Sequence, residues 1–300
     1  MLVIAALYKF ATLPDYQLIH HELKKLTAEQ GLRGTLLVAK EGINGTVAGT
    51  RAAIDTLLDY CARDERFLAW EYKESYAEKN PFARMKVKLK KEIVTLGRPE
   101  ADPSKMVGTY VSPQQFNELL RDPEFTLIDV RNNYEVELGT FKHAINPKTD
   151  YFREFPAFVS ANLDPQHHKK IAMVCTGGIR CEKASSYMKT QGFEQVYHLK
   201  GGILKYLEET PEQKSLWQGE CFVFDNRVTV DHQLRPGHYA LCHGCRQPIS
   251  PADMASEQYE KGVRCPKCYQ QRSLEQVASA KQRQLQIDLA KSRGTLHITS

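Results

Sequence analysis

Cys175 closes an apolar run, Ile171 to Val174, and is followed by Thr176, Gly177, Gly178, Ile179, Arg180 and a second cysteine, Cys181. Strand, tight loop and helix in that order place a thiol where loop N–H groups and the positive end of a helix converge. A thiol held there ionises near neutral pH and becomes a nucleophile. Arg180 adds a fixed cation, and the paired glycines let the chain curl around the sulfur where a Cβ would obstruct it. A buried cysteine ending a core strand is the plain alternative; the Gly-Gly pair, the arginine and the helix start favour the reactive thiol. Cys181 could resolve a sulfenic acid or persulfide on Cys175 as a disulfide, or serve only as a small residue in the first helical turn.

A second set of residues has metal-ligand spacing. Cys242-x2-Cys245 and Cys265-x2-Cys268 are separated by nineteen residues, a pattern that suits one structural zinc with four thiolate ligands. Gly244, Pro248, Gly262 and Pro266 are the turn residues such knuckles need, and few large apolar residues surround them. A metal would therefore supply much of the local stability, although disulfides or free thiols also fit the spacing. His167 and His168 resemble a metal pair only weakly and suit a solvated turn better. No glycine-rich nucleotide fingerprint and no set of two histidines and one carboxylate stands out, so neither a flavin nor a nicotinamide site is expected.

Charge is distributed unevenly. The chain has 300 residues and a net charge of +5. Residues 79–98 and 261–300 are each strongly basic, which leaves the remainder acidic. Two basic stretches suit a polyanion partner as well as two ordinary solvated faces. Met85 to Leu96 starts as a strand with strict alternation: Met85, Val87 and Leu89 point one way, Lys86, Lys88 and Lys90 the other. With Arg84 and Lys91 these lysines form a rail for phosphates, and they would equally blunt an exposed edge strand. No apolar run approaches the length of a membrane span, so no membrane partner is expected. The apolar N-terminus lacks the basic start and cleavage site of a signal peptide, which makes the cytoplasm the expected location.

The elements that must position these groups fall into three regions. Residues 1–98 alternate in the order β-α-β-β-α-β, the split ferredoxin-like pattern. A hairpin-like turn covers Lys40 to Gly45, Thr50 is placed to cap the second helix, and the fourth strand is expected over 67–76. Residues 99–105 are Pro-rich and read as a linker. Residues 106–212 carry a helix after Ser112-Pro113, a buried strand ending at Asp129 with Arg131 beyond it, a polar excursion over 147–170 that could act as a substrate lip, and the Cys175 unit. Structural ion pairing is the safer reading of Asp129 and Arg131. Residues 213–300 hold the four cysteines and a final helix over 273–291, expected to fray before Gly294.

Four motifs carry a family resemblance. Cys175-x2-Gly178-x-Arg180 resembles the active loop of the rhodanese family, one residue tighter than the Cys-x5-Arg cradle of cysteine phosphatases and so sized for a sulfur atom. Asp129-Val130-Arg131, His143 to Asn146 and Gly201-Gly202 resemble further rhodanese motifs in the same order. Together with Lys40-Glu-Gly-Ile-Asn-Gly45 and the four-cysteine region, the whole chain resembles the bacterial rhodanese-domain tRNA uridine hydroxylases. The resemblance implies an α/β multidomain fold: a ferredoxin-like (acylphosphatase-like) domain, a rhodanese-like domain and a zinc-ribbon-like region. It also implies oxygen-dependent hydroxylation of the wobble uridine of tRNA at C5, with molecular oxygen as co-substrate, Cys175 essential and the basic segments holding the anticodon region. DNA is not an expected partner. Cys175 could add to C6 of the uracil, or a sulfenate or persulfide on it could handle the oxygen. A plain sulfurtransferase carrying persulfide on Cys175 is the rival reading, and a non-catalytic RNA-binding or zinc-scaffold protein is a third.

Overall fold

The structure, a computed structural model, describes residues 1–68 and 70–293. It forms two compact units, Met1–Gly219 and Glu220–Ser300. The expected fraying before Gly294 lies outside the described residues.

The first unit begins with β1 (Leu2–Phe10), α1 (Tyr16–Glu29), β2 (Arg33–Ala39), β3 (Gly42–Gly49), α2 (Arg51–Ala62), β4 (Glu71–Ala77) and β5 (Met85–Leu89). The strands lie in the order β4-β1-β3-β2-β5. The first four are the antiparallel ferredoxin-like sheet, and β5 extends it by pairing parallel to β2. Both helices follow from their apolar spacing: Ile19 and Leu23 of α1, and Ile54 and Leu57 of α2, are buried in one core with Leu7, Leu36 and Val47. Thr50 caps α2 by accepting from the Ala53 N–H.

Three expectations change here. The fourth strand starts at Glu71, because Phe67 closes a single 3-10 turn and packs into the core beside Trp70. Asn44 and Gly45 lie inside β3 rather than in the turn, which is confined to Lys40 and Glu41. In β5, Met85 and Val87 pack against the core while Leu89, at the strand end, is exposed.

The same unit continues with β6 (Thr109–Val111), α3 (Pro113–Leu119), β7 (Phe125–Asp129), α4 (Asn133–Val136), β8 (Gly139–Phe141), α5 (Phe155–Asn162), β9 (Lys170–Val174), α6 (Ile179–Thr190), β10 (Gln195–Leu199), α7 (Gly202–Glu209) and β11 (Trp217–Gly219). Four strands form a parallel sheet in the order β6-β10-β9-β7. Ile145 continues the sheet beyond β7 through backbone hydrogen bonds to Leu127 and Asp129. Ser112 and Gln115 form a reciprocal cap on α3. Residues 147–170 are not a free polar loop. They contain α5, and Phe152, Phe155 and Val159 are buried against Ile171 and Met173. The Pro-rich stretch is likewise anchored, since Leu96 and Ala101 join that core.

Asp129 and Arg131 form a fully buried ion pair of 2.6 Å. Arg131 also donates to the Gly139 carbonyl at 2.5 Å, and Thr140 donates to Asp129. The pair therefore joins β7 to β8, and β8 in turn pairs with Trp217 to Gly219.

The second unit contains β12 (Cys221–Phe222), β13 (Thr229–Val230), β14 (Ala240–Leu241), β15 (Pro248–Ile249), α8 (Pro251–Ala255) and α9 (Leu274–Ser292). Its strands pair as two short hairpins, β12 with β13 and β14 with β15. Ser273 and Gln276 cap α9 reciprocally.

Candidate active site and four-cysteine cluster

Because β7, β9 and β10 run parallel, their carboxyl ends lie together, which is where α/β sheets bind ligands. Cys175 is the first residue past β9. Its Sγ accepts from the Gly178 N–H at 3.2 Å, and the N–H and thiol of Cys181 are aimed at the same sulfur. The loop is held from below: Ile203 and Leu204, in the first turn of α7, donate to the carbonyls of Cys175 and Thr176 at 2.9 and 3.1 Å. A Cβ on Gly202 would lie 2.5 Å from the Cys175 carbonyl oxygen, so the downstream glycine pair lets α7 approach the loop. Of the two loop glycines, Gly178 is required, with φ +105° and the Tyr8 hydroxyl 2.8 Å from its Cβ position. Gly177 has open space around it.

Burial pushes the Cys175 thiol up. The Cys181 thiol, the Arg180 charge and the N–H groups of Cys181 and Gly178 outweigh it and bring the thiol from 9.0 down to about 6. Cys181 moves the opposite way, through burial and its hydrogen bond to Cys175. The two shifts favour the anionic form at Cys175 and the protonated form at Cys181, which is placed to donate to it. Cys175 has no exposed surface, so a substrate reaches the sulfur only after the groups covering it move.

Arg180 does not point freely into the ring. It forms a bidentate pair with the fully buried Glu135, at 2.6 and 2.8 Å, and donates to Thr176 Oγ1 at 3.2 Å. Glu135 reaches that position from α4, and its carboxylate also accepts from the Asn132 N–H in the N-terminal cap. The sequence reading missed Glu135. Its only local signal was the Asn132-x2-Glu135 spacing of a capping box.

The two residues after Cys181 reach the N-terminal sheet. Successive residues of a helix point about 100° apart, so Arg180, Cys181, Glu182 and Lys183 face four directions, and all four are buried. Glu182 accepts from the Tyr8 hydroxyl at 2.7 Å. Lys183, 1% exposed, is held by Glu41, which precedes β3, and by Glu92 at 2.9 Å. Glu41 also accepts from the Ile93 N–H, and Asn44 donates to the Ile93 carbonyl. The Lys40 to Gly45 segment is therefore a docking element for α6. A signal was available: three charged residues within four positions of a helix that otherwise looks buried.

Arg84, Lys88, Lys90 and Lys91 are exposed and Lys86 is half-buried. They lie along and beside the edge strand β5. Among the described residues none of the five enters an ion pair. The structure does not bring them together with Cys175 in one hydrogen-bonded cluster. In the second unit, the sulfurs of Cys242, Cys245, Cys265 and Cys268 lie within 4.8 Å of one another. Three of the separations are 3.8, 3.8 and 3.9 Å. Four thiolates about 2.3 Å from one tetrahedral zinc would stand about 3.8 Å apart, whereas a disulfide would bring two sulfurs to about 2.05 Å. The set therefore fits a tetrahedral metal and contains no disulfide.

Residues 2–93 match the family described as UPF0176 acylphosphatase like domain, and residues 112–209 match the rhodanese-like domain. Two solved rhodanese structures resemble part of the chain. One is the rhodanese-like domain of an Anabaena sp. protein, 21% identical over 38% of this chain and 80% of that one, with TM-score 0.32. The other is a rhodanese-related protein from Thermoplasma volcanium, 22% identical over 34% of this chain and 93% of that one, with TM-score 0.28. The two family matches define the class: a rhodanese-like α/β domain joined to an acylphosphatase-like domain. A curated relative from Teredinibacter turnerae, named tRNA uridine(34) hydroxylase, is 56% identical over 296 residues, covering 99% of this chain and 92% of the relative. The chain belongs to the tRNA uridine(34) hydroxylase family.

Proposed function

We propose that the protein hydroxylates uridine 34, the wobble uridine of tRNA, at C5 to give 5-hydroxyuridine, with dioxygen as co-substrate. The observation that carries this is 56% identity to a tRNA uridine(34) hydroxylase across essentially the full length of both chains. Cys175 is the reacting group in this reading. A thiolate can add to C6 of a uracil: sulfur forms the S–C6 bond, and the displaced π pair makes C5 a nucleophile that takes up dioxygen as a hydroperoxide. Two electrons from a thiol reductant then release one oxygen as water and leave the C5 hydroxyl, and loss of the C5 proton expels the Cys175 thiolate from C6. The lowered pKa of Cys175 and the N–H groups aimed at its sulfur support that role. Cys181 is the donor to the thiolate and the nearest partner for an oxidised sulfur. The cations Arg84, Lys86, Lys88, Lys90 and Lys91 contact phosphates around the anticodon. Cys242, Cys245, Cys265 and Cys268 hold a structural zinc. A tRNA substrate places the protein in the cytoplasm, and no helix among the described residues is long and apolar enough to cross a membrane.

The test is the nucleoside content of tRNA from cells with and without the gene, complemented by wild type or Cys175→Ser. Loss of 5-hydroxyuridine restored only by wild type is the expected result. Unchanged modification in cells lacking the protein would refute the reading. A sulfurtransferase would explain the loop but not the full-length relationship to a hydroxylase. Turnover of thiosulfate to thiocyanate with normal 5-hydroxyuridine in deleted cells would favour it. A tRNA carrying 5-fluorouridine at position 34 should form a covalent adduct at Cys175, and its absence would turn attention to a sulfenate or persulfide.

A further inference from the structure

The carboxyl group of Glu182 is an unusual companion for a thiolate. It is 6% exposed and follows directly on Cys181, whose N–H and thiol hold the Cys175 sulfur. Its partner is Tyr8, on β1 of the N-terminal sheet, whose hydroxyl donates to it at 2.7 Å. That same hydroxyl lies 2.8 Å from where a Cβ on Gly178 would stand, so Tyr8 rests against the loop that cradles the sulfur. Tyr8 is itself 8% exposed and packs with Phe10, Ala39, Ile93 and Ile179, the first residue of α6. One residue further along α6, Lys183 is locked to Glu41 and Glu92. The N-terminal sheet therefore grips the first turn of α6 at two adjacent positions.

We propose that Tyr8 and Glu182 are positioning residues of the hydroxylase site: the N-terminal sheet supplies a phenol that holds a buried carboxyl group beside the Cys175 loop, and the charge on that carboxyl governs how readily Cys175 ionises. The inference rests on Cys175 reacting as a thiolate. The groups facing Glu182 come from four elements. They are Tyr8 of β1, Glu71 of β4, Tyr110 of β6, and Cys175 after β9. Burial pushes the Glu182 carboxyl up to about 7; the Tyr8 and Tyr110 hydroxyls lower it, and the charges of Glu71 and Cys175 raise it. A charge on Glu182 and one on Cys175 disfavour one another, so the thiolate forms most readily while Glu182 keeps its proton. The carboxyl group thus lets the loop hold one negative charge at the sulfur and resist a second beside it.

The readout is the Cβ chemical shift of isotopically labelled Cys175 as a function of pH in the full-length protein, with Cys175→Ser identifying the signal. Wild type should show the thiol ionising with a midpoint of about 6 and a second inflection near 7 as Glu182 ionises. Glu182→Gln keeps the volume and an acceptor for Tyr8, and should abolish the second inflection. Tyr8→Phe keeps the ring, removes the donor that lowers Glu182, and should move that inflection to higher pH. A single inflection in wild type, unchanged in both variants, would overturn the proposal while leaving the thiolate intact. A Cys175 that stays protonated up to the ordinary thiol range near 8.5 would instead overturn the reading on which it rests. Should Glu182→Gln fail to fold, the shift in Tyr8→Phe decides alone.

Discussion

At the scale of single residues, the site is an arrangement of buried charges that neutralise one another in pairs. Arg180 lies between the Cys175 thiolate and Glu135, and both lower the energy of keeping a guanidinium out of water. Glu135→Ala leaves that cation buried with half its partners. Breaking a buried pair from one side costs about 3–5 kcal/mol, so the variant should melt well below wild type in a thermal scan. The two loop glycines give a paired prediction. Gly178→Ala places a Cβ against the Tyr8 hydroxyl at a positive φ, which costs about 1–3 kcal/mol, and 5-hydroxyuridine formation should fall with it. Gly177→Ala should melt like wild type. The acid side of the activity profile follows from the depressed Cys175 thiol. A group whose folded pKa is lowered keeps its charged form above that value and loses it as pH falls through it. Hydroxylation rates should therefore drop as pH falls through about 6.

At the scale of elements, β5 has two duties that its alternation separates. Met85 and Val87 close the first core, while Lys86 and Lys88 leave the opposite face charged. An edge strand studded with lysine resists pairing with other chains and can still follow a phosphate backbone. Replacing Lys86, Lys88 and Lys90 by glutamine should leave the fold intact and weaken tRNA binding. The slope of log affinity against log salt should fall by about 2, at about 0.7 per lost contact to single-stranded RNA. An unchanged slope would place the RNA elsewhere. Helix α6 likewise serves several partners at once. Its first turn holds the thiolate and grips the N-terminal sheet, and Ala184, Tyr187 and Met188 fill the core behind it.

At the scale of the whole molecule, the two compact units have different sources of stability. Met1–Gly219 contains extended apolar cores beneath two sheets. In Glu220–Ser300 the cysteine cluster is packed with only a few apolar neighbours, among them Ile249, Met254 and Tyr259. A metal held by the four sulfurs would be a folding element of that unit. Chelation, or Cys265→Ser, should release zinc and raise amide exchange in residues 240–270, with much smaller changes in Met1–Gly219. Zinc content measured by mass spectrometry alongside hydrogen exchange checks both parts.

The sequence alone determined whatever is encoded locally. Cys175, Gly178 and Arg180 were legible because a strand, a tight loop and a helix start are contiguous and leave a fixed spacing. The four cysteines were legible for the same reason, as were the Thr50 cap and the β5 alternation at Met85 and Val87, though not at Leu89. The α5 segment was misread because Phe152, Phe155 and Val159 are diluted among polar residues, and only packing against Ile171 and Met173 reveals their face. The partners of the site were decided by tertiary structure. Tyr8 meets Glu182 across 174 residues of chain, and Glu41 meets Lys183 across 142. No local pattern records such a meeting, because a buried charge is made tolerable by whichever group the fold brings to it, and that group can come from any element.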